Sequence, residues 1–205
     1  EDLVGDKVAQ NLACLQNKLP FFDTNIVYKK IEDAFGKISD LFIKFEEKPV
    51  AAASIAQVHK AQLKNGDIVA VKILRPGIAK KYEQDMQFLE FLSNLIPFLV
   101  QKTKRLKLKE VIAVFRQSMK SELDLRIEAT AALKLTDNFI DDNDLIIPKI
   151  YSDLTSNDIL TLEWIQGVSI YDKDKIIDLG IDPKEIAAKI AVIFFNQAYR
   201  DGFFH

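Results

Sequence analysis

A lysine inside an otherwise apolar run is the residue of this sequence that most needs a charged partner. Lys72 lies at 68–74 in IVAVKIL, a β-branched run typical of a strand covered on both faces. An unpaired ammonium is costly to bury, so the side chain requires a counter-charge. A phosphate together with a carboxylate would supply it. The alternative is that the side chain extends into solvent at the strand end.

An alanine-rich segment precedes this lysine at an informative spacing. In protein kinases, a loop with the pattern G-x-G-x-x-G-x-V covers the nucleotide phosphates, and a lysine in V-A-I-K follows on a strand. Here alanine occupies all three glycine positions, at Ala51, Ala53 and Ala56. Val58 and Lys72, fourteen residues apart, then match the valine and the lysine. The spacing predicts a nucleotide-phosphate site in which alanine replaces glycine.

This replacement changes the physics of the loop. Glycine permits positive φ and a close approach of backbone N–H groups to phosphates. Three alanines stiffen the segment and add methyl groups, so we expect the phosphates to lie in a different pose from that in an ordinary kinase. We also expect the loop to disfavour protein-phosphorylating geometry. Ser54 could cap the turn or contact a phosphate.

The strands and helices that position Lys72 can be predicted from turn signals and from the spacing of apolar residues. Asn65-Gly66 is a strong hairpin signal and predicts a type I′ turn, because both residues accept positive φ. Strands are expected at 41–45, 57–64, 68–74, 146–150 and 159–164. Helices are expected at 6–19, 25–36, 79–96, 108–139 and from 183 onward.

The carboxylate partner of Lys72 is expected on the long helix at 108–139. Three acidic residues are available there, Glu122, Asp124 and Glu128. On one continuous helix, Glu122 and Glu128 would face directions about 120° apart, so only one of them can point at Lys72. Spacing alone leaves the choice open.

These segments together resemble the UbiB/aarF family of atypical kinases, whose hallmark is an alanine-rich loop in place of the glycine-rich one. The resemblance covers essentially the whole chain and is carried by KPVAAASIAQVH at 48–59, VAVKILRPGI at 69–78, ELDLRIEA at 122–129 and LEWIQG at 162–167. It implies an α+β, protein-kinase-like fold, with an antiparallel five-stranded N-lobe, extra helices and the start of a helical C-lobe. The implied division is a helical extension at 1–36, an N-lobe at 37–166 and the beginning of a C-lobe at 167–205.

The resemblance also implies roles for particular residues. Lys72 and Glu122 would form the catalytic pair, with Glu128 as the second choice of partner. Nucleotide contacts are implied for Ala51, Ala52, Ala53, Ser54, Ala56, Val58, Ala70, Lys72, Glu163 and Ile165. Backbone groups of the hinge at 163–165 would bond the adenine edge, while Trp164 is expected in the core. His59 is expected to make a structural hydrogen bond.

ATP with Mg²⁺ is the implied cofactor. The metal ligands would lie outside this chain, because the catalytic-loop Asp and Asn and the Asp-Phe-Gly motif of the family do not occur in it. A start without methionine and an end at His205 directly after a helical run indicate a fragment, and the K-x-G-Q extension of the family is expected before Glu1.

The implied role is in ubiquinone biosynthesis, at the cytoplasmic side of a bacterial inner membrane or on the matrix side in mitochondria. A lipid surface and quinone-biosynthesis proteins would be the partners. The alternative is a non-catalytic, pseudokinase-like scaffold that binds nucleotide and organises lipid-handling enzymes. An ordinary Ser/Thr kinase is disfavoured by the alanines and by the fifty-residue gap from Lys72 to Glu122.

The amino-acid composition limits the classes of protein to which this chain can belong. The 205 residues are 48% hydrophobic, enough for a sizeable core, and a net charge of −2 argues against a basic nucleic-acid-binding protein. The single cysteine, Cys14, excludes an internal disulfide. No apolar run reaches the length of a membrane span. The basic stretch at 101–110 could attract anionic lipid headgroups, although a solvated linker is the favoured interpretation.

Overall fold

The computed structural model describes residues 20–99, 107–142 and 144–204. The helix predicted at 6–19, Cys14 and most of the basic stretch at 101–110 lie outside these residues. In chain order, the elements are α1 (Thr24–Phe35), α2 (Ile38–Leu41), β1 (Phe42–Phe45), β2 (Ala51–Ala52), β3 (Ala56–Leu63), β4 (Ile68–Leu74), α3 (Ile78–Leu99), α4 (Leu108–Glu122), α5 (Leu125–Asn138), a 3-10 turn (Ser152–Leu154), β5 (Ile159–Glu163), α6 (Lys173–Asp178), α7 (Pro183–Phe195) and a π-helical turn (Asn196–Arg200).

The five strands form one antiparallel sheet in the order β1-β3-β4-β5, with β2 paired to β3. The predicted hairpin joins β3 to β4. Its turn is not type I′, because Asn65 has a negative φ and only Gly66 is positive, at 95°. Gly66 N–H instead bonds Leu63 O at 2.9 Å, as in a type I turn followed by a glycine bulge.

The two faces of the sheet bury different residues, because side chains alternate along a strand. One face packs against α1 through Val69, Val71 and Ile73 of β4, which cluster with Val27 and Ile31. The opposite face packs against α5 in a smaller cluster, made of Ala56, Leu74, Leu125, Ala129 and Leu160. Lys72 belongs to this second face.

The prediction of a strand at 146–150 is wrong. Ile150 makes an isolated bridge to Leu162, and the two-residue strand β2 supplies the fifth strand instead. Pro148 has no N–H to donate to a ladder, which explains why pairing begins only after it.

The single long helix expected at 108–139 is also wrong. It is divided into α4 and α5 at Asp124, whose carboxylate accepts a hydrogen bond from Arg126 N–H at 3.1 Å and so caps α5. Leu125 N–H donates to Asn157 O at 2.9 Å, on the turn before β5. This contact with a distant turn sets where the second helix begins.

Two other helix ends follow local rules. α7 begins at Pro183 after the predicted cap Asp182, whose carboxylate accepts from Lys184 N–H at 2.9 Å. α1 ends at Gly36 as predicted, but its cap is Asp23 rather than Asn25.

Within the described ranges, none of the helices combines the length and apolar character needed to cross a bilayer. The division at 1–36, 37–166 and 167–205 stays a prediction.

A hydrogen bond ties the hairpin turn to the segment before β5. Tyr151 donates its hydroxyl to Asp67 Oδ2 at 2.8 Å, and Asn65 Nδ2 donates to the same oxygen at 2.7 Å. These bonds, with that of Tyr151 the stronger influence, hold the pKa of Asp67 below its ordinary value. Burial, followed by the bond to Asp67, raises the pKa of Tyr151 to about 12. The fold therefore stabilises the carboxylate form of Asp67.

Replacing Tyr151 by Phe should make the chain less stable at neutral pH. Because the pKa of Asp67 is lowered in the folded state, this contribution is present above the ordinary aspartate pKa of about 3.9 and is lost as pH falls through the lowered value. Urea unfolding of wild type and Tyr151→Phe from pH 7 to pH 3 measures the difference. Tyr171→Phe, at a side chain 92% exposed, is the matched control. A stability difference that does not change with pH contradicts the assignment.

Candidate functional site

The ammonium of Lys72 is paired with the carboxylate of Glu128. Lys72 Nζ lies 2.9 Å from Glu128 Oε1 and 2.6 Å from Oε2, so both carboxylate oxygens accept. The side chains are 26% and 38% exposed. The charge is thus neutralised on the face of the sheet, and both side chains remain partly accessible to solvent.

Glu122, the first choice of partner, is not the residue that contacts Lys72. It is the last residue of α4 and is exposed. The choice of Glu122 rested on the family resemblance, and the break at Asp124 leaves Glu122 and Glu128 on different helices. Asp124 itself is used as the cap of α5 and pairs with Arg126 at 2.6 Å, a contact that lowers the pKa of Asp124. Glu128, kept as the second choice, is the partner in the structure.

The start of α5 carries Glu128 to the sheet. Leu125 and Ala129, one helical turn apart, are buried against Leu74 and Leu160. Glu128 lies between them in sequence and therefore emerges beside the same face. The packing of Leu125 and Ala129 on the sheet, rather than the charge of Glu128, fixes where this carboxylate can reach.

Strand register brings the predicted strand residues together. Val58 and Leu160 lie directly opposite Lys72, on β3 and β5. Ala56 and Ala70 are two residues away from these positions along their strands and share the same face. The predicted contacts of the sheet thus form one continuous surface around the ammonium.

The alanine-rich loop closes over one end of this surface. β2 pairs Ala51 with Val58, and Ala53 N–H donates to Ala56 O at 2.8 Å within the loop. None of the loop residues has a positive φ, so the loop needs no glycine to adopt this path. Among the residues that the structure describes, no acceptor bonds the backbone N–H groups of Ser54 and Ile55. These two donors at the tip remain free to bind an anion.

Arg75, to which the sequence pattern assigns no role, contacts the loop. Its Nε and Nη2 donate to Ala53 O at 3.3 and 3.2 Å, and its Nη1 donates to Pro20 O at 2.9 Å. The available signal was the position of Arg75 in RPG, directly after the lysine strand. That signal does not reveal the acceptors, because both are backbone carbonyls of sequence-distant residues.

Gln57 and His59 lie on the opposite face and are fully buried. His59 Nδ1 is 2.8 Å from Glu46 O, and Gln57 Nε2 is 2.9 Å from His59 Nε2. Because a carbonyl can only accept, Nδ1 carries the proton and Nε2 accepts from Gln57. Burial lowers the pKa of His59, which favours this neutral form. The expected structural hydrogen bond of His59 is confirmed.

The hinge follows directly from β5. Glu163 N–H bonds Lys149 O at 2.8 Å, and Trp164 N–H bonds Ile68 O at 3.0 Å. Ile165 is exposed, and its N–H has no acceptor within the described part of the chain. Trp164 is half-buried beneath Lys60 Nζ, 4.8 Å from the ring centroid, rather than in the core as expected.

No group of three or more His, Cys, Asp or Glu side chains in the described ranges is arranged to hold a metal ion. The location of the metal ligands outside this chain stays a prediction.

Comparison with known proteins assigns this arrangement to the protein-kinase-like class. The model of the ABC1 atypical kinase-like domain matches residues 14–205. The chain belongs to this family, the UbiB type of atypical kinase. Both the family and the kinase-like α+β fold expected from the sequence are thereby confirmed.

Curated relatives match the whole chain. A probable protein kinase UbiB from Shewanella piezotolerans (strain WP3 / JCM 13877) is 39% identical over 206 residues, covering 100% of this chain and 38% of the relative. Proteins of the same name from Histophilus somni (strain 129Pt) and Pseudomonas aeruginosa (strain LESB58) are 37% and 38% identical, with the same coverage. The chain therefore spans 38% of the length of these relatives.

A solved structure supports the fold independently. The structure of the Rv3197–erythromycin complex from Mycobacterium tuberculosis superposes with a TM-score of 0.64 at 26% identity, covering 84% of this chain and 42% of that one.

Replacing Glu128 by Gln should destabilise the domain, since the Lys72 ammonium would lose its counter-charge. For a partly exposed pair, we expect a loss of about 1–2 kcal/mol in the free energy of unfolding. Glu122→Gln is the matched control and should stay within about 0.5 kcal/mol of wild type. Urea unfolding of the three proteins measures this, and equal effects of the two substitutions would contradict the assigned pairing.

Proposed function

We propose that this domain is the nucleotide-binding part of an ATP-dependent atypical kinase or ATPase. The observation that carries the proposal is the Lys72 ammonium, held by Glu128 on a sheet face beside the alanine-rich loop. In protein kinases, a strand lysine paired with a helix glutamate contacts the α- and β-phosphates. Glu128, rather than Glu122, takes the glutamate role here.

The donors around the ammonium support a nucleotide as the ligand. The N–H groups of Ser54 and Ile55 and the Ser54 hydroxyl would bind phosphate oxygens beside Lys72. At the other end of the surface, the unpaired N–H of Ile165 would donate to the adenine edge, with the backbone of Glu163 beside it. Ala70 lies between these ends on β4 and offers a small side chain to the base.

The described residues do not fit a magnesium site by themselves. Mg²⁺ prefers oxygen ligands in octahedral geometry and would bridge phosphate oxygens when bound. In this proposal its protein ligands and the base for phosphoryl transfer lie outside the chain. The contribution of this domain is to bind and orient the triphosphate.

Family membership extends the proposal to a biological setting. We place the whole protein in isoprenoid quinone (ubiquinone) biosynthesis, with quinone-biosynthesis proteins and a lipid surface as partners. The corresponding location is the cytoplasmic side of a bacterial inner membrane, or the matrix side in mitochondria. The phosphoryl acceptor is protein, lipid or water.

One observation favours a second candidate, a pseudokinase-like scaffold that binds nucleotide without transferring phosphate. Ala53 N–H, at the middle glycine position, is already bonded to Ala56 O inside the loop. It is therefore not available to a phosphate unless the loop changes its path. Turnover measurements separate the two candidates.

Replacing Lys72 by Ala in the full-length protein should weaken Mg-ATP binding. A hydrogen bond to a charged group contributes about 1.5–3 kcal/mol, so we expect affinity to fall about tenfold or more. Isothermal titration calorimetry measures this, with Lys64→Ala, at the exposed hairpin turn, as the control.

ATP hydrolysis by the same samples discriminates between the candidates. Turnover that is lost with Lys72→Ala supports the enzyme, and binding without turnover in wild type supports the scaffold. Equal ATP affinity of wild type and Lys72→Ala would contradict the site that both candidates share, in which Lys72 binds the phosphates.

Replacing Ala53 by Gly should change how the loop binds the phosphates. Glycine at this position restores backbone freedom equivalent to about 0.4–1 kcal/mol. We expect the ATP-to-ADP affinity ratio to change by about twofold to fivefold. Fluorescence titration with both nucleotides measures the ratio, with Ala79→Gly, exposed at the start of α3, as the control. An unaltered ratio contradicts a role for the alanine in phosphate pose.

A further inference from the structure

The direction of one peptide unit decides whether the loop tip can bind an anion. The carbonyl of Ala53 and the N–H of Ser54 belong to the same planar trans peptide and therefore point in opposite directions. With this peptide turned one way, the tip presents an N–H to a phosphate. Turned the other way, it presents a carbonyl oxygen, which repels phosphate oxygens. A group that holds the Ala53 carbonyl consequently also aims the Ser54 N–H.

Arg75 holds that carbonyl with two donors. Its Nε and Nη2 lie 3.3 and 3.2 Å from Ala53 O. The backbone N–H of Arg75 bonds Ile55 O at 2.7 Å, so one residue engages the carbonyls on both sides of Ser54. The N–H groups of Ser54 and Ile55 have no acceptor among the described residues, which is the state that an anion-binding tip requires.

The same guanidinium joins the loop to the segment entering α1. Arg75 Nη1 donates to Pro20 O at 2.9 Å, and the guanidinium carbon lies 5.8 Å from the centroid of the Phe22 ring. Gln57, immediately after the loop, accepts from Phe22 N–H at 3.0 Å and donates to Phe22 O at 3.4 Å. Residues 20–22 are thus bonded both to Arg75, which holds the loop, and to Gln57, which follows the loop in sequence.

We propose that Arg75 is the positioning residue of the alanine-rich loop, which aims the Ser54 N–H at the nucleotide phosphates and anchors that geometry on Pro20. The proposal rests on the nucleotide-binding function proposed above. The planar guanidinium is suited to this role, because its fixed donors can hold two carbonyls at once, whereas a lysine ammonium is a single point charge. Three donor atoms are used by backbone carbonyls, which disfavours direct binding of phosphate by Arg75.

The test compares Arg75→Ala, Arg75→Lys and the control Lys80→Ala in the full-length protein, using calorimetric titration with Mg-ATP and with adenosine. We expect both Arg75 variants to lose about tenfold in ATP affinity and to retain adenosine affinity, because only the phosphate donors are misaligned. An equal loss for ATP and adenosine would indicate a general structural role and overturn the proposal. Retained ATP affinity in Arg75→Lys would show that charge alone is sufficient and would also overturn it.

Hydrogen exchange of the nucleotide-free protein gives an independent result. Arg75→Ala should accelerate exchange of backbone amides in peptides covering 50–57 and 21–23, while Lys80→Ala should not. Unchanged exchange would overturn the anchoring. If wild type binds neither ATP nor adenosine, the nucleotide function fails, and the exchange experiment still decides whether Arg75 holds the loop.

Discussion

The pairing of a strand ammonium with a helix carboxylate governs how this domain is arranged. Lys72 can remain half-buried only because Glu128 reaches it with both oxygens. Glu128 can reach it only because α5 begins where Leu125 N–H meets Asn157 O. Packing of Leu125 and Ala129 on the sheet then holds the helix in place. A charge pair of modest strength is thus supported by apolar contacts and one backbone hydrogen bond.

The loop above this pair obtains its shape without glycine. Its residues keep negative φ, and a side chain outside the loop, Arg75, restrains its carbonyls. Glycine-rich loops rely on backbone freedom to approach phosphates. Here the freedom is replaced by hydrogen bonds to Ala53 and Ile55, which limit the loop to fewer paths. The alanine-for-glycine pattern therefore marks a loop that is restrained by hydrogen bonds rather than one that relies on backbone freedom.

Alternation along β3 separates structural from chemical roles. Gln57 and His59 point to the α1 side and build a buried hydrogen-bond network that reaches Glu46 and Phe22. Val58, between them, belongs to the face that carries Lys72. A motif that is continuous in sequence therefore serves two faces of the sheet, and the buried network on one face stiffens the strand that supports the other.

Several features of this protein depend only on neighbouring residues and could therefore be predicted. These are the hairpin at Asn65-Gly66, the cap Asp182 and the spacing from the alanine-rich loop to Lys72, since turns, caps and strand periodicity are local effects. In contrast, the carboxylate that pairs with Lys72 and the carbonyls that bond Arg75 are defined by the folded chain. The helix broke at Asp124 because a distant carbonyl, that of Asn157, was available to Leu125 N–H. Local pattern cannot specify such partners, because they come from segments that meet only when the chain has folded.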